Sequence, residues 1–395
     1  MQRHTIRGKT RTIIYPIIIY WGITSIMGCK RLEINQTKRN WEKLSAYFTP
    51  PPLYQEKFGT YRNPLLFYNG DTVKNADDWL KRRKEIKDKW LNLIGHWPAI
   101  ITNQKLEIIK TTEREDFKQH LVRFYWTPLE QTYGYLLEPN KKGKHPAVIT
   151  VFYEPETAIG WGGKANRDFA YQLTKRGFVT LSIGTKQTTK DKTYSLYYPT
   201  ISNSTMQPLS VLAYAAANAW EVLARVESVD STRIGIMGHS YGAKWAMFAS
   251  CLYEKFACTA WSDPGIVFDE TKDNYINYWE PWYLGYYPTL WKKIWSNNGN
   301  NSSTSVYARL CKEGHDLHEL HSLLAPRPFL VSGGYSDNVD RWIPLNHSVA
   351  VNRFLGYHHR VAMTNRPKHD PTPESNETIY KFFEWFLKRK TPKED

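Results

Sequence analysis

One short motif, Gly-His-Ser-Tyr-Gly at 238–242, constrains this sequence more than any other feature. An apolar segment at 233–237 precedes it and predicts a buried strand, and a helical pattern at 243–253 follows at once. A sharp turn between a strand and a helix leaves no room for side chains at its flanks, which explains the two glycines. The N-terminus of the helix directs its N–H groups at the point where negative charge would develop. We therefore predict that Ser240 is an exposed nucleophile.

Strand patterns alternate with helical patterns along most of the chain. The predicted strands are 106–111, 118–127, 134–138, 147–153, 178–183, 233–237, 257–262, 328–332 and 360–364. The predicted helices are 77–93, 166–175, 208–225, 243–253, 315–324, 343–355 and 374–389. Because strands that alternate with helices pair in parallel through right-handed crossovers, we predict an α/β fold with a mainly parallel central sheet flanked by helices. An aromatic-rich insertion, at about 264–310, is expected after the strand counted as the sixth.

A serine hydroxyl needs a base and a group that orients the base. In a strand–turn–helix setting of this kind the chain order is serine, acid, histidine. His369 follows the last predicted strand and is the expected base, and Asp337 follows the strand before it and is the preferred acid. Asp263, at the end of the strand after the nucleophile helix, and Asp340 stay open as alternative acids.

The reaction also needs donors for the oxyanion. We expect one from the backbone N–H of Tyr241, the residue after the nucleophile. The second should come from the loop after the strand at 147–153, at Tyr153 or Glu154. Because a backbone group leaves no signature in the side chain, the sequence keeps both residues as candidates.

Two groups of residues are candidates for contact with the substrate. Lys244 lies one helical turn past the nucleophile, where it would steady a charged substrate or stand in solvent. Trp279 and Trp282 belong to the aromatic insertion, which would either stack on sugar rings over the cleft or fill a small core of its own. The net charge of +15 favours an acidic partner, and an acidic polysaccharide fits better than nucleic acid because no nucleic-acid recognition motif is present.

Three histidines occur at three-residue steps, His315, His318 and His321. They could share a metal, but a serine triad needs none, so we expect them to line the cleft or to bond the backbone. We predict no cofactor and no metal. The chain has four cysteines but no Cys-x-x-Cys pair, which argues against a structural zinc site.

The N-terminus predicts export. A basic start is followed by a short apolar stretch that ends at Gly28-Cys29, which resembles the lipobox of bacterial lipoproteins. We therefore expect a signal peptide at 1–29 with lipidation at Cys29, a tether and extended arm at 30–75, and the catalytic domain at 76–395. This interpretation places the protein in the periplasm or on the outer membrane; an uncleaved signal anchor is the alternative.

From residue 82 onward the chain resembles secreted bacterial α/β hydrolases of the dienelactone hydrolase and acetyl xylan esterase type. The resemblance rests on the motif at 238–242, on Ala-Pro-Arg-Pro at 325–328 before Gly333-Gly334, and on His369. Lys244 is also similar to glucuronoyl esterases, which carry a Lys four residues after the serine; where those have Arg after the serine, this chain has Tyr241.

The resemblance implies an α/β-hydrolase fold and a serine esterase that cleaves acetyl or uronic-acid esters of polysaccharides or oligosaccharides. Two alternatives remain. A peptidase like prolyl oligopeptidase would usually carry a propeller of repeats, and no internal repeat is visible. A lipoprotein that binds glycans with an inactive hydrolase fold is the other.

Overall fold

The computed structural model describes residues 41–190, 196–268, 284 and 306–388. Contacts divide the chain into two units, Met1–Lys43 and Leu44–Asp395, and the second unit contains the sheet and the helices that surround it. Trp279, Trp282 and Cys29, together with most of the predicted aromatic insertion, lie outside the described residues.

A nine-stranded sheet forms the centre of the second unit, in the order β1-β2-β3-β5-β4-β6-β7-β8-β9. The strands are β1 Glu107–Arg114, β2 Phe117–Thr127, β3 Glu130–Pro139, β4 His145–Phe152, β5 Val179–Gly184, β6 Val229–His239, β7 Thr259–Ser262, β8 Phe329–Gly333 and β9 Val361–Asn365. The pairs β1–β2, β2–β3 and β3–β5 are antiparallel. The pairs β5–β4, β4–β6, β6–β7, β7–β8 and β8–β9 are parallel. The predicted mainly parallel sheet is thus confirmed, although the segment after residue 263 follows the seventh strand and not the sixth.

Helices cover both faces of the sheet's parallel part. They are α1 Ala76–Ile94, α2 Pro155–Ala158, α3 Phe169–Lys175, α4 Lys186–Lys190, α5 Pro208–Leu223, α6 Tyr241–Leu252, α7 Val306–Lys312, α8 His318–Ser322, α9 Trp342–Phe354 and α10 Pro373–Phe383. Short 3₁₀ turns at Ala46–Phe48 and Val339–Arg341 and a π-helical turn at Glu384–Lys388 complete the set. Among the described residues no helix has both the length and the apolar character that crossing a membrane requires.

The core lies where α5 and α6 pack on the parallel strands. Every residue of both helices is buried, and so is every residue of β4 and β5. Large side chains such as Trp90, Trp245 and Trp261 are completely enclosed. Because burying one large apolar side chain stabilises the fold by about 1.5–3 kcal/mol, this layer holds the sheet rigid beneath the turn at 238–242.

The arm at 44–75 is fixed to the domain through its own backbone. Asn346 on α9 donates to the carbonyls of Tyr54 and Lys57, at 2.7 and 2.8 Å, and His318 on α8 bonds the carbonyl of Arg62 at 2.7 Å. These side chains satisfy carbonyl groups that no regular secondary structure pairs. The arm therefore follows a fixed path over α8 and α9.

Candidate active site

Ser240 occupies the turn between β6 and α6 in a strained conformation, with φ 56° and ψ −119°. A side chain at Gly238 would place its Cβ 2.2 Å from the carbonyl carbon of Gly242, and one at Gly242 would lie 2.0 Å from the carbonyl oxygen of Val151. Contacts that short do not occur between real atoms, so both positions require glycine. A positive φ costs a non-glycine residue about 1–3 kcal/mol, and the surrounding packing has to hold it.

His369 lies in the loop after β9 and reaches the serine. Its Nε2 is 2.8 Å from the Oγ of Ser240, and its Nδ1 is 2.6 Å from the Oδ2 of Asp263. Serine, imidazole and carboxylate thus form one chain of hydrogen bonds at the carboxyl ends of β6, β7 and β9. The structure brings together two of the three preferred residues, Ser240 and His369, with the alternative acid.

Asp337, the preferred acid, does not contact the imidazole, and this preference was wrong. Its two carboxylate oxygens accept hydrogen bonds from the backbone N–H groups of Gly265 and Ile266, each at 2.7 Å. Asp340 lies further out, 3.5 Å from Arg341. The reason lies in the strand order, because β7 lies directly beside β6 whereas β8 is one strand further from the nucleophile.

The backbone around Asp263 presents its carboxylate to His369. Asp263 has φ 56°, and its Oδ1 accepts from the N–H groups of Gly334, Ser336 and Asp337 at 2.8, 3.1 and 2.9 Å. Oδ2 bonds the imidazole, and it also accepts a longer bond of 3.3 Å from the N–H of Ser336. A Cβ at Gly334 would lie 2.8 Å from the Oδ2, so that position also requires glycine.

The two acids differ in their pKa values for physical reasons. Burial raises the pKa of Asp263, but the hydrogen bond from His369 and the positive charges of His369 and Arg366 outweigh it, so the net pKa is lowered. Burial, and then the negative charge of Asp263, raise the pKa of Asp337 to about 6. At neutral pH the carboxylate against the imidazole is therefore firmly ionised, which suits an acid that must stabilise an imidazolium.

Lys244 is buried, so its interpretation as a solvated surface lysine was wrong. Its amine donates to the carbonyl of Pro264, in the loop directly after Asp263. Burial lowers the pKa of Lys244 to about 8, although the carboxylates of Asp337 and Asp263 act in the opposite direction. The lysine thus supports the loop that carries the acid, and its contact with substrate stays a prediction.

The residues expected to supply the oxyanion hole lie on either side of the turn. Tyr241 is the first residue of α6, and its ring stacks on that of Tyr153 with 4.4 Å between the ring centroids. Glu154 occupies the N-cap position of α2, and its carboxylate is 3.2 Å from the amine of Lys164. The end of β4 therefore approaches the start of α6, as the predicted pair of donors requires; which N–H groups act stays a prediction.

Three side chains around the base were missed by sequence reasoning. The ring of His239 lies 4.8 Å from that of His369 between centroids, and its Nδ1 is 3.1 Å from the Oγ of Ser262. Burial first, and then the positive charge of His369, hold the pKa of His239 well below its usual value, so it stays neutral. Arg366 is the third. Its only signal in the sequence is its place three residues before His369.

The three spaced histidines have separate partners. His315 Nδ1 is 2.7 Å from a carboxylate oxygen of Glu319, His318 bonds the arm, and His321 Nε2 lies 3.2 Å from the sulfur of Met247. Across residues 41–190, 196–268, 284 and 306–388, no group of three His, Cys, Asp or Glu side chains is arranged to hold a metal ion. The thiols of Cys251, Cys258 and Cys311 are not paired with one another.

Comparison with solved structures gives the same architecture. A glucuronoyl esterase from Solibacter usitatus superposes with a TM-score of 0.66 at 17% identity, over 83% of this chain and 97% of that one. A carbohydrate esterase family 15 glucuronoyl esterase from Caldicellulosiruptor kristjansonii gives 0.60 at 19% identity, over 88% and 95%. A glucuronoyl esterase from Sporotrichum thermophile gives 0.55 at 17% identity, over 84% and 89%.

Sequence comparison adds no closer relative. No protein-family model matches the chain, and no curated protein matches it in sequence. At identities of 17–19% the structural likeness establishes the fold alone. The predicted α/β-hydrolase fold is confirmed.

Proposed function

We propose that this protein is a serine carboxylic-ester hydrolase that acts on esterified polysaccharides or oligosaccharides through an acyl-enzyme. The observation that carries the proposal is the hydrogen-bonded chain from Ser240 Oγ through His369 to Asp263, with contacts of 2.8 and 2.6 Å. Both distances are within the range that a nucleophile, a base and an orienting acid need.

In the proposed reaction the Oγ of Ser240 attacks the ester carbonyl, and Nε2 of His369 takes the hydroxyl proton. The Asp263 carboxylate holds the other ring nitrogen and stabilises the imidazolium. The oxyanion accepts hydrogen bonds from the backbone N–H of Tyr241 and from one N–H of Tyr153 or Glu154. His369 then gives its proton to the leaving alcohol, and the acyl-enzyme forms. His369 then takes a proton from water, which attacks the acyl group. The second oxyanion collapses and releases the carboxylic acid, while His369 returns its proton to the Oγ of Ser240.

Support for a carbohydrate ester comes from two sides. The structures with the same architecture include glucuronoyl esterases, among them those from Solibacter usitatus and Sporotrichum thermophile. The net charge of +15 suits a polyanionic glycan. Acetyl esters and uronic-acid esters both satisfy the proposed chemistry, because the triad acts on the ester carbonyl whichever alcohol leaves.

The test compares wild type with Ser240→Ala, and with Ser202→Ala as an exposed-serine control. We expect wild type and the control to react with a fluorophosphonate probe and to hydrolyse aryl acetates. We expect Ser240→Ala to lose labelling and at least about 10³-fold in kcat, because a triad acts as a unit. Acetylated xylan and benzyl glucuronate then identify the ester. An unlabelled wild type would point to the glycan-binding lipoprotein, and cleavage of proline peptides without esterolysis to a peptidase.

Export and lipid anchoring belong to the same proposal. They are supported by the basic and apolar character of residues 1–29 and by the Gly-Cys pair that ends them. Fatty-acid labelling of the expressed full chain should be lost in Cys29→Ala. Labelling that persists in this variant would contradict an anchor at Cys29.

A further inference from the structure

A buried guanidinium lies between the base-bearing loop and the ends of two strands. Arg366 directly follows β9 and is only 7% exposed. Its Nε donates to the carbonyl of Asp370 at 2.8 Å, and its Nη2 to the carbonyl of His369 at 2.6 Å. Two bonds to the carbonyls of successive peptide units fix both the position and the orientation of the backbone between His369 and Asp370. The arginine therefore anchors the backbone of the base itself.

The same guanidinium also binds the neighbouring strands. Nη1 donates to the carbonyl of Ser332 on β8 at 2.7 Å, and Nη2 to the Oγ of Ser262 on β7 at 3.1 Å. Ser262 Oγ is in turn 3.1 Å from Nδ1 of His239, which directly precedes the nucleophile. One planar group thus links the loop of the base, the strand of the acid and the turn of the nucleophile. A lysine amine is a single point donor and cannot form this set of bonds.

Charge adds to this geometry. Burial raises the pKa of Asp263. The contacts with His369, and after them the positive charge of Arg366, lower it. Burial lowers the pKa of Arg366, while Asp263, Asp337 and Asp370 oppose that effect. The arginine and the catalytic carboxylate therefore stabilise each other's charged forms across the end of β7.

We propose that Arg366 is a positioning residue that sets His369 and Asp263 relative to Ser240 by binding the backbone of the base-bearing loop and the ends of β7 and β8. The inference rests on the proposed ester-hydrolase function, because its consequence for activity is a consequence for that reaction. It concerns a side chain that acts through His369 and does not itself touch the ester.

A matched control separates positioning from stability. Arg327 is a partly buried arginine whose guanidinium also donates to backbone carbonyls, of Ser250 at 2.9 Å and of Phe256 at 3.1 Å. It lies just before β8, at the amino end of the sheet, and so away from the serine. Arg366→Lys and Arg327→Lys each remove a guanidinium that binds several backbone carbonyls, one at the carboxyl end of the sheet and one at the amino end. Thermal unfolding measures the stability that each variant loses.

We expect Arg366→Lys to lower kcat on an aryl acetate about 100-fold with KM nearly unchanged, since an error of about 1 Å in position costs about that much. Arg327→Lys should keep kcat within about threefold of wild type, even where its melting temperature falls as far as that of Arg366→Lys. In Arg366→Met the acid limb of the pH–rate profile should also move to higher pH, because Asp263 loses a positive neighbour. Added methylguanidinium should restore activity to Arg366→Ala but not to Ser240→Ala. A folded Arg366→Lys with wild-type kcat, or an equal loss in Arg327→Lys, would overturn the proposal.

A second measurement does not depend on turnover. The downfield proton between His369 and Asp263 can be observed by NMR in the resting protein and assigned by its loss in His369→Gln. We expect it in wild type and in Arg327→Lys, and expect it lost or shifted in Arg366→Met. Its persistence unchanged in Arg366→Met would refute the positioning role whether or not the protein cleaves esters. Failure of wild type to react with fluorophosphonate would instead refute the proposed function.

Discussion

The identity of the catalytic acid is best tested by Asp263→Asn. The backbone at this position has φ 56°, a region that asparagine tolerates well, so the substitution should not strain the chain. Three backbone N–H groups already bind Oδ1 and would hold the amide oxygen in the same place. The amide nitrogen would then face His369 Nδ1 and donate to it. The proton of a neutral imidazole would have to lie on Nε2, where it faces Ser240 and prevents the ring from acting as a base.

The magnitude follows from this geometry. A carboxylate about 4 Å from the centre of an imidazolium stabilises it by about 4 kcal/mol at an effective dielectric constant of about 20, or about 10³-fold in rate. The wrong tautomer adds to this loss, and a serine protease that carries the equivalent change loses about 10⁴ in kcat. We expect Asp263→Asn to lower kcat on an aryl acetate by about 10³–10⁴, with KM changed little.

Asp337→Asn is the matched control, because it makes the same chemical change in the neighbouring carboxylate. It would weaken one of the bonds to Gly265 and Ile266, and we expect it to lower kcat less than about tenfold. Steady-state kinetics and thermal unfolding of both variants decide the matter. The reasoning fails if Asp337→Asn loses as much activity as Asp263→Asn, or if Asp263→Asn keeps more than a tenth of wild-type kcat while folded.

Three further changes test the fold around the site. Gly242→Ala should prevent folding or cost several kcal/mol, since its Cβ would lie 2.0 Å from the carbonyl oxygen of Val151. Gly143→Ala has open space around the added carbon, so its cost should be limited to the backbone strain of its positive φ, about 1–3 kcal/mol; thermal denaturation compares the two variants. Glu319→Gln should destabilise the protein by about 3–5 kcal/mol in urea unfolding, because it removes a fully buried charge that neutralises nearby arginines. The pKa of Asp337 is raised to about 6 in the folded protein from 3.8 in the unfolded chain. Its contribution to stability therefore falls as pH rises between these values, and Asp337→Asn should remove that contribution from the pH dependence of the unfolding free energy. An unchanged pH dependence in the variant would contradict the assignment.

Local sequence rules were enough to predict that Ser240 and His369 meet. The two glycines at 238 and 242 have a steric cause that the structure shows directly, in contacts of 2.2 and 2.0 Å for an added Cβ. His369 follows the last strand, and the carboxyl ends of parallel strands meet at one edge of the sheet. Both inferences depend on local steric demands and on strand order along the chain, which a sequence displays.

The supporting groups were not predictable in the same way. Arg366 and Lys244 are charged residues that composition rules place in solvent, yet both are buried because backbone carbonyls satisfy their protons. Carbonyl groups look identical in every residue of a sequence. A cation that is buried mainly by bonds to backbone carbonyls therefore leaves little in the sequence from which its position could be inferred.

The choice between the two acids shows where sequence reasoning ends. The loops after β7 and β8 support each other, since Asp263 accepts the N–H of Asp337 while Asp337 accepts the N–H groups of Gly265 and Ile266. Each carboxylate is thus needed to hold the loop of the other. The aspartate after β8 therefore shapes the site without a hydrogen bond to His369. Only the lateral order of the strands, with β7 beside β6, determines which of the two meets the imidazole.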